Sequence, residues 1–308
     1  MKNYRFWSAI AQSAALKAIA TTTLLTISSI SPTWAADPFR TTSPHPIGDK
    51  TEAAFKAIFQ DGNYRTAQGY LKQAQTMEPN EPLAYALQAS LAYSVDKDLT
   101  AFSLYGNKTL ETAKQLINTD PLRGNLYTAV GYFLQGASIL TREGTVKGTP
   151  EALSKLRLVY EHLDKAQSVS AKDPEINLMR GYMDLLLAVN LPFSNPEQAI
   201  ARLKEFAAPQ YLANRGLAIG YRDLEEYSAA LDAVNRALST TASNPELFYL
   251  KAQILAEYSK KQNDRSMLQE AVKNFDRAIS KKAQLPPNLV KQIERERGKA
   301  VSRLTNPK

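Results

Sequence analysis

Cysteine is absent from this chain of 308 residues. Disulfides, thiol nucleophiles, thiolate-bound metals and iron–sulfur clusters are therefore excluded, as is a lipid anchor attached through a cysteine. Histidine occurs only twice, as His45 and His162. The two lie far apart in different settings, which speaks against an imidazole metal site or a nucleophile–base pair; His162 reads as a partly exposed helix residue. No G-x-S-x-G, H-E-x-x-H or phosphate-cradling glycine loop is present. Lys147–Ala152 (KGTPEA) reads instead as a loop and a helix start, with Thr149 at the cap and Pro150 in the first turn. Asp96 and Asp98 flank Lys97 without an oxygen-rich loop, which argues against calcium. Alternating β-branched runs are scarce, and the net charge of +8 comes from scattered Lys and Arg rather than a basic stripe with a nucleic-acid-reading module. No metal, cofactor or nucleic-acid partner is expected.

Acidic residues are missing before Asp37, whereas Lys2, Arg5 and Lys17 are basic. Ala18–Ile30 is apolar or small with Ser and Thr, followed by Pro32 and Thr33-Trp34-Ala35-Ala36. A charged start, a short apolar core and small residues at its end describe a secretory signal peptide over residues 1–35, cut after Ala35. A membrane span needs about 20 apolar residues, and this core is too short and too rich in Ser and Thr. No twin arginine is present, so export through the general pathway is expected. The expected location is the periplasm. The remaining chain carries a net charge of +5 and is long enough to be stable through its core alone. Residues 36–48, with Pro38, Pro44, Pro46 and Gly48, read as a flexible linker, and 305–308 as a tail.

What the chain has in quantity is apolar residues spaced three and four apart. Asn214, Leu217, Ala218, Tyr221, Leu224, Tyr227, Ala230, Val234 and Ala237 predict two helices, Leu212–Leu224 and Tyr227–Leu238, packed as a hairpin. Large residues fill the seam, and Ala218 and Ala230 sit where the backbones approach. This unit resembles the tetratricopeptide (TPR) repeat, with its L-G-x2-Y and A-x3-F pattern. Tyr64, Ala67, Leu71, Ala74 and Pro79 repeat the second-helix half, and Tyr127, Val130, Gly131 and Leu134 the first. Further second helices fall at Thr109–Leu116, Val159–Ala166, Ala199–Phe206 and Ala271–Ala278. Their last positions recur every 31 to 50 residues, so loop insertions are expected around a period of about 34. Turn signals stand at Asp61–Asn63, Glu78–Pro82, Asn118–Pro121, Leu191–Pro196, Ser243–Pro245 and Leu285–Pro287, and Thr141–Thr149 reads as a polar loop inside a hairpin.

The predicted fold is all-α: a TPR-like solenoid of helical hairpins over residues 49–304. It is a right-handed superhelix of about six hairpins plus a C-terminal capping helix at Asn288–Arg303. The chain is similar to exported, signal-peptide-bearing TPR proteins of cyanobacteria, a resemblance that implies the periplasm or the thylakoid lumen as its compartment. In that family the first helices line a concave groove, so the resemblance places Asn177, Arg180 and Asp184 there, with Arg215, Ile219 and Arg222 of the next repeat. Tyr132 and Tyr249 are their counterparts elsewhere, with Asn125, Gln135 and Gln253. Arginines beside tyrosines suit a carboxylate or an extended peptide, because the guanidinium fork binds acids bidentately. The competing reading pairs Arg180 with Asp184 and Arg215 with Asp223. The Lys/Asn carboxylate clamp of chaperone-binding TPR domains is not reproduced.

The expected function is a non-catalytic exported scaffold or adaptor that binds a segment of a protein partner in its groove. Such a protein would serve in assembly or maintenance of an envelope or membrane complex. One alternative is a peripheral binder of membranes or anionic polymers through Lys281, Lys282, Lys291, Arg295, Arg297 and Lys299. The other is a carboxylate-dependent cell-wall enzyme using Glu225/Glu226 or Glu294/Glu296, although adjacent or i,i+2 acids on a helix point apart.

Overall fold

The structure, a computed structural model, describes residues 37–190 and 196–305. The expected signal peptide, most of the Leu191–Pro196 turn and the end of the tail lie outside these residues. Twelve α-helices and no strand occur among the described residues, so the chain is all-α. The helices are α1 (Asp49–Phe59), α2 (Tyr64–Met77), α3 (Pro82–Leu91), α4 (Leu99–Leu116), α5 (Pro121–Val169), α6 (Pro174–Asn190), α7 (Pro196–Glu205), α8 (Gln210–Asp223), α9 (Tyr227–Thr240), α10 (Pro245–Gln262), α11 (Arg265–Ser280) and α12 (Pro287–Thr305). A π-helical turn, Ala92–Asp96, follows α3 and ends at Lys97 with φ 56°. Six of the twelve helices begin on proline, whose fixed φ suits the first turn and whose missing N–H is no loss there. Side chains of Asn63, Glu81, Asp98, Asp120, Asn244 and Asp264 accept the free N–H groups that follow them.

Consecutive helices pack in pairs: α1 on α2, α3 on α4, α6 on α7, α8 on α9 and α10 on α11. Alternate helices also touch, α1 with α3, α3 with α5, α6 with α8 and α8 with α10. That second set makes one layer out of the first helices, as side-by-side stacking of hairpins requires. Gly131 shows why small residues stand at the crossings. A Cβ there would lie 2.8 Å from the Cα of Leu110 on α4. Ala218 and Ala230 are likewise fully buried.

The expected loop Thr141–Thr149 is helical except at Gly144, whose φ of 79° and ψ of 167° fold α5 back on itself. The second arm thus starts ahead of Pro150. Its first turn faces solvent (Val146 is 93% exposed), so it lacks the apolar period that marks a helix in sequence.

One side-chain bridge recurs along the layer and fixes the register of the hairpins. Asn125, Asn177 and Asn214 each donate from Nδ2 to the carbonyl four residues earlier, at 2.7, 2.8 and 2.9 Å. Each Oδ1 faces a ring or guanidinium nitrogen of the partner in its hairpin: His162 on the second arm of α5 at 2.9 Å, Arg202 at 3.2 Å and Arg236 at 3.0 Å. Phe248 takes the corresponding place on α10, with the Arg277 guanidinium over its ring. His162, Arg202, Arg236 and Arg277 all precede a fully buried residue. Asn177 therefore corresponds to Asn214, and the expected equivalence of Arg180 with Arg215 is out of step.

Residues 37–48 do not form a flexible linker. Phe39 and Ile47 are buried, and Phe39 packs edge-on against Phe55. The segment crosses three turns in succession. Arg40 bonds Asp173, His45 bonds Asp120, and the backbone of Lys50 and Thr51 donates to Glu78 at 2.7 and 2.9 Å. The ends of the array also meet, rather than standing open. Tyr64 N–H donates to the Gln284 carbonyl at 3.0 Å, and Asn244 Nδ2 to the Phe59 carbonyl at 3.0 Å.

Candidate functional site

The residues expected to line one groove fall into separate environments. Asn177 is buried and committed to its bridge. Arg180 donates from Nη1 to Asp164 at 2.6 Å and Gln167 at 2.7 Å, both on the second arm of α5. Asp184 accepts from Tyr160 at 2.8 Å and lies 3.8 Å from Arg202. Burial first, then the Asp184 carboxylate, pushes the Tyr160 phenol above its ordinary range. This face of α6 looks toward the second helices and is filled by the chain's own side chains. The reason is the register: the residues of α6 that meet α8 are Tyr182, which packs on Gly216, and Leu185, which packs on Gly220. Tyr132 stands apart from both groups, between Lys114 and Lys155, with its ring 5.7 Å from that of His162.

Arg215, Ile219, Arg222 and Tyr249, by contrast, share one cleft of about 980 Å³ walled by α8, α10 and α12. Ile219, Leu250 and the Tyr249 ring give it apolar surface. Gln253 is its hub: Oε1 accepts from Arg222 Nη1 at 2.9 Å, and Nε2 donates to the Tyr249 hydroxyl at 2.8 Å and to Glu296 at 3.0 Å. Gln292 donates to the other Glu296 oxygen at 2.9 Å. Burial and the nearby Glu296 carboxylate raise the Tyr249 phenol. Arg215 donates to Glu246 at 2.7 Å, and the same carboxylate accepts from the Tyr64 hydroxyl at 2.6 Å. Burial alone would lower the Arg215 guanidinium, but Glu246 together with the Tyr64 and Tyr182 phenols holds the group above its usual value. One nitrogen of Arg215, Nη1, is buried with no hydrogen-bond partner among the described residues. Lys260, Lys299 and Arg303 stand around the same cleft.

Family models, curated proteins and solved structures offer no match to this chain. The cleft must be read from its own chemistry. It offers an apolar strip, a fixed polar relay and charges of both signs at the edge, Lys260, Lys299 and Arg303 beside Glu257 and Asp264, which suit an elongated polar ligand. The acids proposed for hydrolysis do not face one another. Glu296 lies in this cleft, whereas Glu294 lines a different pocket beside α2. Glu225 sits in the α8–α9 turn at φ 63°, 3.5 Å from Lys261.

The sequence reading missed a buried ionic network under the N-terminal segment. Arg40 contacts Asp37 at 2.8 Å, Asp173 at 2.7 Å and Glu175 at 3.0 Å. Arg123 pairs with Glu81 at 2.8 Å and approaches Glu175 at 3.5 Å, and Tyr127 donates to Glu175 at 2.5 Å. Glu175 is 0% exposed, and burial raises its carboxyl despite the Arg123 and Arg40 charges. Burial works against both guanidinium charges, but the facing carboxylates keep them raised. No spacing rule joins Arg40 to residues more than 130 positions away. The available signals were helix-start acids (Glu81, Asp173, Glu175), which read as caps.

Proposed function

We propose that this chain is a non-catalytic scaffold of the TPR-like class that holds a segment of another protein in the cleft between α8, α10 and α12. The observation that carries the reading is the cleft itself, where five of the residues singled out for the groove, Arg215, Ile219, Arg222, Tyr249 and Gln253, converge around an apolar strip. A rigid, pre-formed wall limits the ordering cost of capturing a flexible segment, and Tyr249 with the arginines supplies the anchor chemistry. The fold reading, a superhelix of about six hairpins and a cap, is supported by the layer of first helices and by the recurring Asn bridge. In that reading, α5 supplies both helices of the third hairpin, and α12 is the cap.

The site on α6 is withdrawn from this reading, because Asn177, Arg180 and Asp184 are engaged internally. Export to a periplasm or thylakoid lumen rests on the leader sequence. N-terminal sequencing of the protein recovered from a bacterial periplasmic fraction tests it, and recovery of uncleaved chain in the cytoplasm would refute it. The binding site is tested by photo-crosslinking in envelope extract with a probe at Gln253 or at Asp184. A defined partner is expected from Gln253 alone, and its yield should fall at least tenfold with Arg222→Glu. Equal crosslinks from both probes, or none from Gln253, would refute the cleft as the binding surface.

A further inference from the structure

The seam where the array closes carries a second pocket, separate from the cleft. Its volume is about 410 Å³, at the small end of the ligand-pocket range of about 300–1,000 Å³. One wall comes from the start of α2 and from Val95 of the π-helical turn, the other from the α11–α12 loop and the first turns of α12. The floor is apolar: Val95 and Leu285 are buried, and Pro286, Pro287 and Val290 complete it. Three cations ring the mouth, Arg65, Lys282 and Lys291, all exposed. They make no ion pair among the described residues; Glu294 lines the pocket with them, and the Asp96 carboxylate beside Val95 is bonded to Gln68.

Unpaired cations over an apolar floor select by two features at once. An apolar body leaves water on entering the floor, and an anionic group stays at the wet mouth, where attraction is modest but favours the acid over its neutral analogue. The volume admits a small molecule and not a folded segment. We propose that this pocket binds a small apolar carboxylate, with Arg65 and Lys291 holding the acid and Val95, Leu285 and Val290 the apolar body. Because Tyr64 N–H is bonded to the Gln284 carbonyl across the same seam, such a ligand fastens the first hairpins to the last. Ligation then stabilises the closed array by mass action.

The test uses the full chain with two probes of equal shape, 3-phenylpropionate and 3-phenylpropionamide, titrated by calorimetry and followed by thermal melting. The acid is expected to bind at least tenfold more tightly than the amide and to raise the melting midpoint with concentration. Arg65→Glu with Lys291→Glu should weaken the acid at least tenfold, and Ala283→Trp, at an exposed wall position, should block both probes. Lys260→Glu at the other cleft should change neither. Equal affinity for acid and amide overturns the proposal without recourse to any variant. Absence of binding at millimolar acid, or binding that survives the double charge reversal in a folded variant, overturns it as well.

Discussion

The edge crossed by the N-terminal segment and the cleft at the C-terminal end use the same residue types to opposite effect. At the edge, Arg40 and Arg123 are buried and surrounded by Asp37, Glu81, Asp173 and Glu175. In the cleft, Arg222 is bound by Gln253 and Asp223, while Lys299 and Arg303 remain at the margin. The first arrangement locks three turns together and spends its charges on one another, beside a pocket of about 880 Å³ between the segment and those turns. The second spans an open volume with a part-satisfied polar relay. In a stack of hairpins, then, an arginine on a first helix does not mark a binding surface by its position alone; what covers it decides.

The strongest test of this contrast is Glu175→Ala. Removing the shared carboxylate leaves two guanidinium groups buried with fewer partners, a change that destabilises by about 3–5 kcal/mol. Urea denaturation should show a loss of that order, with Glu175→Gln retaining part of it through shape. A loss below about 1 kcal/mol would mean that the edge is wet and that the two regions do not differ as described. Gly131→Ala comes next. The new Cβ meets the Leu110 backbone, which cannot give way cheaply, and forced repacking of this kind costs about 1–3 kcal/mol. Gly298→Ala should go the other way. Nothing lies within 4 Å of a Cβ there on α12, so the higher helix propensity of alanine should stabilise by about 0.5–1 kcal/mol in the same measurement.

Much of this was legible because it is local. The three-and-four spacing of Asn214–Ala237 predicts α8 and α9 to within about two residues, and the prolines mark helix starts at Pro82, Pro121 and Pro245. The site was legible only in half. Arg215, Ile219, Arg222 and Tyr249 do line a cleft, but Asn177, Arg180 and Asp184 do not: taking them with Arg215, Ile219 and Arg222 as one groove set Arg180 against Arg215, 35 residues on, whereas the Asn bridge spans 37 from Asn177 to Asn214. Two residues are about 200° of helix, enough to turn a groove position onto the opposite side. The packed N-terminal segment was hidden for another reason. Its partners are set by how the hairpin turns line up in space, and proline-rich composition records only that the segment is extended.

The smallest expected effect separates the α5 hairpin from the helices of the cleft by pH. His162 bridges to Asn125 on α5, and because Asn125 Nδ2 is given to the Pro121 carbonyl, its Oδ1 must accept and His162 Nδ1 must donate. Burial first, then the Lys165 and Lys114 charges, lowers the His162 pKa below its ordinary 6.5, against a smaller opposing pull from Glu161. The folded protein therefore takes up this proton less readily than the unfolded chain. The stabilisation is fully present above pH 6.5 and fades as pH falls through the lower folded value. Amide exchange, corrected for its intrinsic pH dependence, should show protection of α5 declining between about pH 7.5 and 5.5 relative to α8 and α10, which carry no histidine. His162→Gln should flatten that difference. A decline of equal size in α10, or one that survives the substitution, would place the titrating group elsewhere and remove His162 from the contrast.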